Sequence, residues 1–384
     1  MDQAHLRYPG AVRINGSTMT CVVVAVTAAG CGSNAAKSPS DAGAKADGPF
    51  VVDARSIHDV LSDRGSDGRL DLRPVDLGRD GPAEFTIVEF PIPTASSMPF
   101  DITAGPDGNI WFTERQANKI GRSAPAGAIT EFPVPTAQST PACIVAGSDG
   151  NLWFTEGTGN NIGRISPAGT IKEFALPNAK SGPGAVALGA DGNVWFTETV
   201  ANRMGRITPD GTISEYSVDA PWYVTAGPDR DLWLTQVPVA DSGGFGTRIV
   251  SKMTTAGIVT PLPSTVANSS PYMITAGADG NVWFIEPNLF SIGRMTPAGQ
   301  VAEFRTGSQG LSASAITAGP DGNTWYSLGD MTGKLGRVTP AGQVSEYQIP
   351  TPWALIQRMT SGPDGNVWFA ENGATANKIG YIVP

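Results

Sequence analysis

Five glutamates occupy one repeated place in this chain, three residues after a tryptophan: Glu114, Glu156, Glu198, Glu286 and Glu371. Two further copies carry Gln236 and Leu328 there. Carboxylates gathered at one rim could hold a cation or move a proton, because hard cations take oxygen ligands and a carboxyl tuned by its surroundings can act as a base. Glu286 and Glu371 are therefore candidate metal ligands, and Glu371 is the candidate catalytic residue. A second set, Phe100, Trp222, Tyr223, Tyr272, Ser314 and Gln357, offers aromatic faces with a few polar groups, the lining expected of a small-molecule pocket.

These residues need elements that bring them together. The tryptophans are Trp111, Trp153, Trp195, Trp233, Trp283, Trp325 and Trp368, each preceded by a turn such as Gly105-Pro106-Asp107-Gly108-Asn109. Copies at steps of roughly 40 residues, built from short strands and Gly turns, predict the blades of an all-β, seven-bladed β-propeller with four antiparallel strands per blade. In the first blade the strands are read as Phe100 to Ala104 (A), Ile110 to Thr113 (B), Lys119 to Ser123 (C) and Ile129 to Phe132 (D). Strand A leaves one face and strand B returns to it, so the start of A and the end of B share a rim around one mouth of the central channel. The seventh copy stops after strand C, whereas Ile87-Val88-Glu89-Phe90-Pro91 matches an outer strand with no blade of its own. The N-terminal strand is therefore predicted to complete blade 7 and close the ring, leaving no free edge.

Columns found in nearly every blade read as scaffolding, and the simplest role for the repeated Glu is pairing with the repeated cations Arg122, Arg164, Arg206, Lys252, Arg294 and Arg337. Function is expected where blades differ. Blades 4 and 5 differ most, with Asp229-Arg230-Asp231 in the turn, Gln236 for Glu, and an inserted loop from Val237 to Gly246. That loop leaves the end of strand B and should overhang the mouth where Trp222, Tyr223 and Tyr272 lie, with Phe100 across the channel. Cys143, on one inner strand, reads as a small buried hydrophobe.

The formal charge of -9 argues against nucleic acid and against an anionic membrane surface as partners. The 47 glycines and 31 prolines are what seven turn-rich blades require. Arg7 and Arg13 precede a short apolar run from Met19 to Ala29, so residues 1–30 read as a signal peptide. Ala28-Ala29-Gly30-Cys31 resembles a bacterial lipobox, making Cys31 the expected lipidation site and the cell envelope the expected location. Residues 31–85, rich in Ser, Ala, Gly and Asp, read as a flexible linker, and residues 86–384 as the propeller, expected to be monomeric.

The runs Gly105-Pro106-Asp107-Gly108-Asn109-Ile110-Trp111-Phe112-Thr113-Glu114, Asn118-Lys119-Ile120-Gly121-Arg122 and Ile129-Thr130-Glu131-Phe132-Pro133 resemble the virginiamycin B lyase (streptogramin lyase) family over about residues 86 to 384. The resemblance implies magnesium-assisted elimination at an ester bond of a cyclic antibiotic, with a histidine as general base. In the family the sixth inner strand begins Pro-His and the seventh Glu-Pro-His. The matching runs here are Ala313-Ser314 and Leu355-Ile356-Gln357, and no histidine follows His58. Ser314 thus stands for a substrate-contacting His, Gln357 for the general base and Leu355 for a metal ligand, leaving Glu371 as the counterpart of the remaining carboxylate. The expected function is an exported propeller without lyase activity, binding a small molecule or a protein at the channel mouth. The alternative is a carbon–oxygen lyase with a rearranged site, the one case in which magnesium would be required.

Overall fold

The structure, a computed structural model, describes residues 85–237, 248–262, 266–308, 310–329, 332–373 and 376–384. The expected signal peptide, Cys31, the linker up to residue 84 and all but Val237 of the inserted loop lie outside the described residues.

Seven four-stranded antiparallel sheets follow one another as blades. In blade 1 the strands are Pro99–Ala104, Ile110–Glu114, Lys119–Ser123 and Ile129–Pro133, close to the expected bounds. Blade 5 departs from the pattern, its inner strand being reduced to Ile274–Ala276. The N-terminal strand Ile87–Pro91 pairs with Asn377–Ile382 and is the outer strand of blade 7, as the missing fourth strand required. Phe85, assigned to the linker from sequence, instead packs on Tyr347 and Trp325 of blade 6, with ring centroids 4.2 and 6.5 Å apart, so the propeller includes it.

Each blade is held by the same few side chains. The turn aspartate accepts a hydrogen bond from the indole of the tryptophan four residues on, at 2.9 Å for Asp107 and Trp111, and the same bond forms in all seven copies. Burying a Trp therefore leaves no orphaned donor. Strand C carries Gly121 because a Cβ there would lie 2.1 Å from the Phe112 ring, which lies flat across it. Blade 4 makes the compensating exchange, with Ser251 opposite the smaller Leu234.

The repeated cations do not pair with the Glu that ends strand B. Arg122 lies opposite Trp111, at the turn end, whereas Glu114 lies opposite Lys119, three residues and roughly 10 Å along the strand. The arginines instead stack on Trp111 and Phe132, at 5.6 and 5.5 Å, and reach the next blade, Arg122 donating to the Pro167 carbonyl at 2.8 Å. Cation–π contact and a blade-to-blade hydrogen bond replace the expected pairing with Glu. Arg164, Lys252, Arg294 and Arg337 form their ion pairs with the turn aspartates instead, Lys252 with Asp229 at 2.5 Å and Arg337 with Asp321 at 3.6 Å.

A second device sets the position of the channel mouth. Strand A bulges between Pro99 and Ile102, and Thr113 of strand B fills the gap. Its hydroxyl accepts from the Asp101 amide at 3.0 Å and donates to the Ala142 carbonyl of blade 2 at 2.6 Å. Thr155 repeats this with Cys143 and Gly184, and Ser327 with Ala315 and Ile356. Each bulge thus fixes where the first channel-facing residues of its own blade and the next one stand.

Candidate functional site

The aromatic candidates come together around one arginine. The position after the start of each inner strand reads Asp101, Cys143, Ala185, Tyr223, Met273, Ala315 and Arg358 around the ring. Arg358 belongs to blade 7, yet its guanidinium lies 4.6 Å over the Tyr223 ring of blade 4 and 5.7 Å from the Phe100 ring of blade 1. It therefore crosses the channel. Tyr223 meets Tyr272 edge-on with centroids 5.0 Å apart. Arg248 sits 4.9 Å over Tyr272 and 5.9 Å from Trp222, which is 40% exposed, and Arg115 lies 5.0 Å over Phe100. Phe100, Trp222, Tyr223 and Tyr272 thus form one continuous aromatic and cationic surface.

Asp101 and Cys143 complete the floor. Asp101 Oδ1 accepts from the Ile102 amide and Oδ2 from the Ile144 amide, both at 2.9 Å, so the carboxylate ties blade 1 to blade 2. Burial raises its pKa against the opposing pull of Arg358. Arg358 Nε is 3.9 Å from Asp101 Oδ1, an ion-pair distance without a hydrogen bond, and Arg358 Nη2 donates to Cys143 Sγ at 3.4 Å. Burial pushes the Cys143 thiol up to about 12, so it remains protonated and is no nucleophile at neutral pH. Its reading as a buried small residue holds, with the addition of this polar contact.

Ser314 lies nearby but is committed to the fold, its hydroxyl bonded to Ser327 Oγ at 2.8 Å and to the Ile356 carbonyl at 3.1 Å. Gln357 falls in the bulge between Ile356 and Arg358, half-buried, and Leu355 pairs with Asn372 at the strand start.

The carboxylates do not join this surface. Glu114, Glu156, Glu198, Glu286 and Glu371 are all fully buried within their own blades. Glu286 accepts from the Ser269 hydroxyl at 2.5 Å and from the Ser270 amide, and burial pushes it up to about 7. Glu371 lies in blade 7 beside Glu89, Lys378 and Thr351. Burial first, then the neighbouring Glu89 charge, push it up to about 8. Glu286 and Glu371 therefore have no partner in common, and among the described residues no group of three or more His, Cys, Asp or Glu could hold a metal. A hard divalent cation needs converging ionised oxygens. Glu371 keeps its proton at neutral pH, and Leu355 and Gln357 supply no anionic ligand, so the residues at this mouth do not fit magnesium.

Arg358 and Asp101 are the site residues that the column reading passed over. They stand one place beyond the column used, as the only charged members of an otherwise apolar or phenolic ring. That contrast was the available signal.

A model of the virginiamycin B lyase family matches residues 78–245 and 219–384. Among solved structures, a streptogramin B lyase is 34% identical, with a TM-score of 0.69 over 78% of this chain and 97% of that chain. A selenomethionine-substituted virginiamycin B lyase from Staphylococcus aureus is 34% identical, with a TM-score of 0.70 over 78% of this chain and 99% of that one. A catalytically inactive histidine-to-alanine form of the Staphylococcus aureus enzyme, with quinupristin, matches with the same identity, TM-score and coverage.

Proposed function

The chain belongs to the virginiamycin B lyase family, and from that membership we propose that it is a binding module of the family that lacks lyase activity. The observation that carries this reading is the replacement of the base and a metal ligand by Gln357 and Leu355 in a chain with no histidine after His58. An amide has no basic lone pair at neutral pH, and Leu offers no oxygen to a cation. The buried Glu371 does not substitute for them, since its carboxyl faces Glu89 and Lys378 rather than the aromatic surface. Loss of catalysis need not mean loss of binding. The relative inactivated by a single histidine substitution is described with quinupristin, and the aromatic mouth of the present chain offers apolar contact for a small molecule or an exposed protein segment. The test is turnover: a type B streptogramin incubated with the propeller and magnesium is expected to stay cyclic.

The N-terminal segment supports an exported, envelope-tethered protein, with the propeller held in water by a lipid on Cys31. In a bacterial host the Cys31→Ala form is expected to move from the membrane fraction to the soluble fraction. Retention of Cys31→Ala in the membrane fraction would remove the lipid anchor from this account.

A further inference from the structure

We propose that the channel mouth takes an amphipathic small molecule bearing a carboxylate, with Arg358 holding the carboxylate and Phe100, Trp222, Tyr223 and Tyr272 holding the apolar body. The proposal rests on the reading of this mouth as a binding site and names the ligand class.

Three observations lead to it. The first is the unmet hydrogen-bonding capacity of Arg358. Its side chain is only 14% exposed, its Nε is buried with no hydrogen-bond partner, and its one bond among the described residues goes to a thiol, a weak acceptor. A guanidinium has five donors in a planar fork, and leaving them unmet in a low-dielectric site is costly. The second is that Asp101 cannot meet this demand. The backbone amides of Ile102 and Ile144 hold its two oxygens in place, and so held its nearest approach to Arg358 is 3.9 Å, beyond hydrogen-bond distance. An anion entering from the mouth can supply the planar, paired acceptors the fork matches. The third is the surroundings. Arg358, Arg248 and Arg115 all lie against the aromatic cluster, so a protein of net charge -9 concentrates positive charge at this rim. The same rim carries an apolar lining, which a bare inorganic ion would not use. Around the ring, the small side chains of Ala142, Gly184 and Ser314 leave blades 2, 3 and 6 without bulk at the level where Trp222 and Tyr272 form the wall.

The experiment is calorimetric titration of the propeller at pH 7 with indole-3-acetate, phenylacetate and octanoate, each beside its neutral amide, and with inorganic phosphate. The carboxylates are expected to bind at least about tenfold more tightly than the amides, the range of one charge-assisted hydrogen-bonded pair, with phosphate weaker than all three. Arg358→Met keeps a side chain across the channel and removes the charge, and it should abolish the preference for acid over amide. It also leaves the buried Asp101 without its cation and is expected to lower the unfolding midpoint, so the titration is read well below that midpoint. Arg358→Lys should keep part of the preference. Equal binding of acids and amides, no binding of any acid, or an unchanged preference in Arg358→Met would overturn the proposal. Each of those results would leave the absence of lyase turnover untouched, because that is read separately from the linear product.

Discussion

Removing residues 1–92 is expected to lower the unfolding midpoint by tens of degrees or to abolish cooperative unfolding, although none of the described residues among them, 85–92, lies at the mouth. The deleted strand Ile87–Pro91 is the outer strand of blade 7, and its loss exposes the edge Asn377–Ile382. Glu89 would also go. It accepts from the Thr351 amide at 3.0 Å and from Lys378 at 2.7 Å, so a buried amide and an ammonium would lose their acceptor. Phe90 stacks on Trp368 at 5.9 Å and covers Gly127 of blade 1, so a blade-to-blade contact disappears as well. Loss of a fully buried aromatic costs about 3–5 kcal/mol, and the half-buried Phe90 contributes the lower part of that range, together with the buried Ile92. With the network added, the total approaches the whole stability of an ordinary domain, about 5–15 kcal/mol. Differential scanning calorimetry decides the matter, and a midpoint unchanged within a few degrees would refute the closure argument. The milder Glu89→Ala should lower the midpoint without destroying cooperativity.

Stability is expected to be highest near pH 5 and to fall on both sides, more gradually toward alkaline pH. Burial pushes Glu114 and Glu371 up to about 8 and Glu156 and Glu286 up to about 7, and it raises Glu198 as well. A raised carboxyl holds in the folded state a proton that the unfolded chain releases above about 4.5. The folded state therefore loses stability as pH rises from there through 7 to 8. At about 1.4 kcal/mol per unit, and allowing for relaxation of each site, the set contributes a loss on the order of 5 kcal/mol. In a domain of this size that is a fall of roughly 8 °C in midpoint. The acid side has the opposite cause. Burial works against ionisation of Glu89 and Glu131, but hydrogen bonds from Lys378 with Thr351, and from Lys119 with Thr94, outweigh it and hold both below the usual range. Their contribution is present above about 4.5 and is lost as pH falls through the lowered values. In blades 1 and 7 a Glu on strand B that holds its proton, Glu114 or Glu371, thus neighbours an ionised Glu on strand D, Glu131 or Glu89. Blade 4 already carries the neutral form as an amide, Gln236, which donates to the Asp219 carbonyl at 2.9 Å. Glu156→Gln should accordingly fold normally and flatten the alkaline limb. A midpoint that rises from pH 5 to 8 would contradict the assignment of these protons.

Both expectations follow from how the repeat can be read. Period, turn chemistry and the orphan strand at Ile87 carried the architecture and its closure, because turn residues and strand count are local properties. The aromatic mouth was legible through contrast, since Trp222 and Tyr272 break a column that elsewhere holds Ala142 and Gly184. What a repeat cannot show is which columns face each other across strands. Glu114 and Arg122 look like partners by charge, yet the register sets Arg122 against Trp111 and leaves Glu114 near Glu131. Nor does a column show reach. Arg358 is one long side chain that crosses to blades 1, 2 and 4, and only the closed ring brings Asp101, Cys143 and Tyr223 to it.

The central claim is that this member of the family keeps the propeller and its mouth while lacking the chemistry of elimination. The most direct measurement is mass-spectrometric: quinupristin incubated with excess propeller and millimolar magnesium, with the cyclic and linear forms resolved by chromatography. The account predicts that the cyclic form persists at the rate of the protein-free control. Linear product forming at enzyme-like rates, and disappearing in Glu371→Gln, would contradict it and restore a working lyase site.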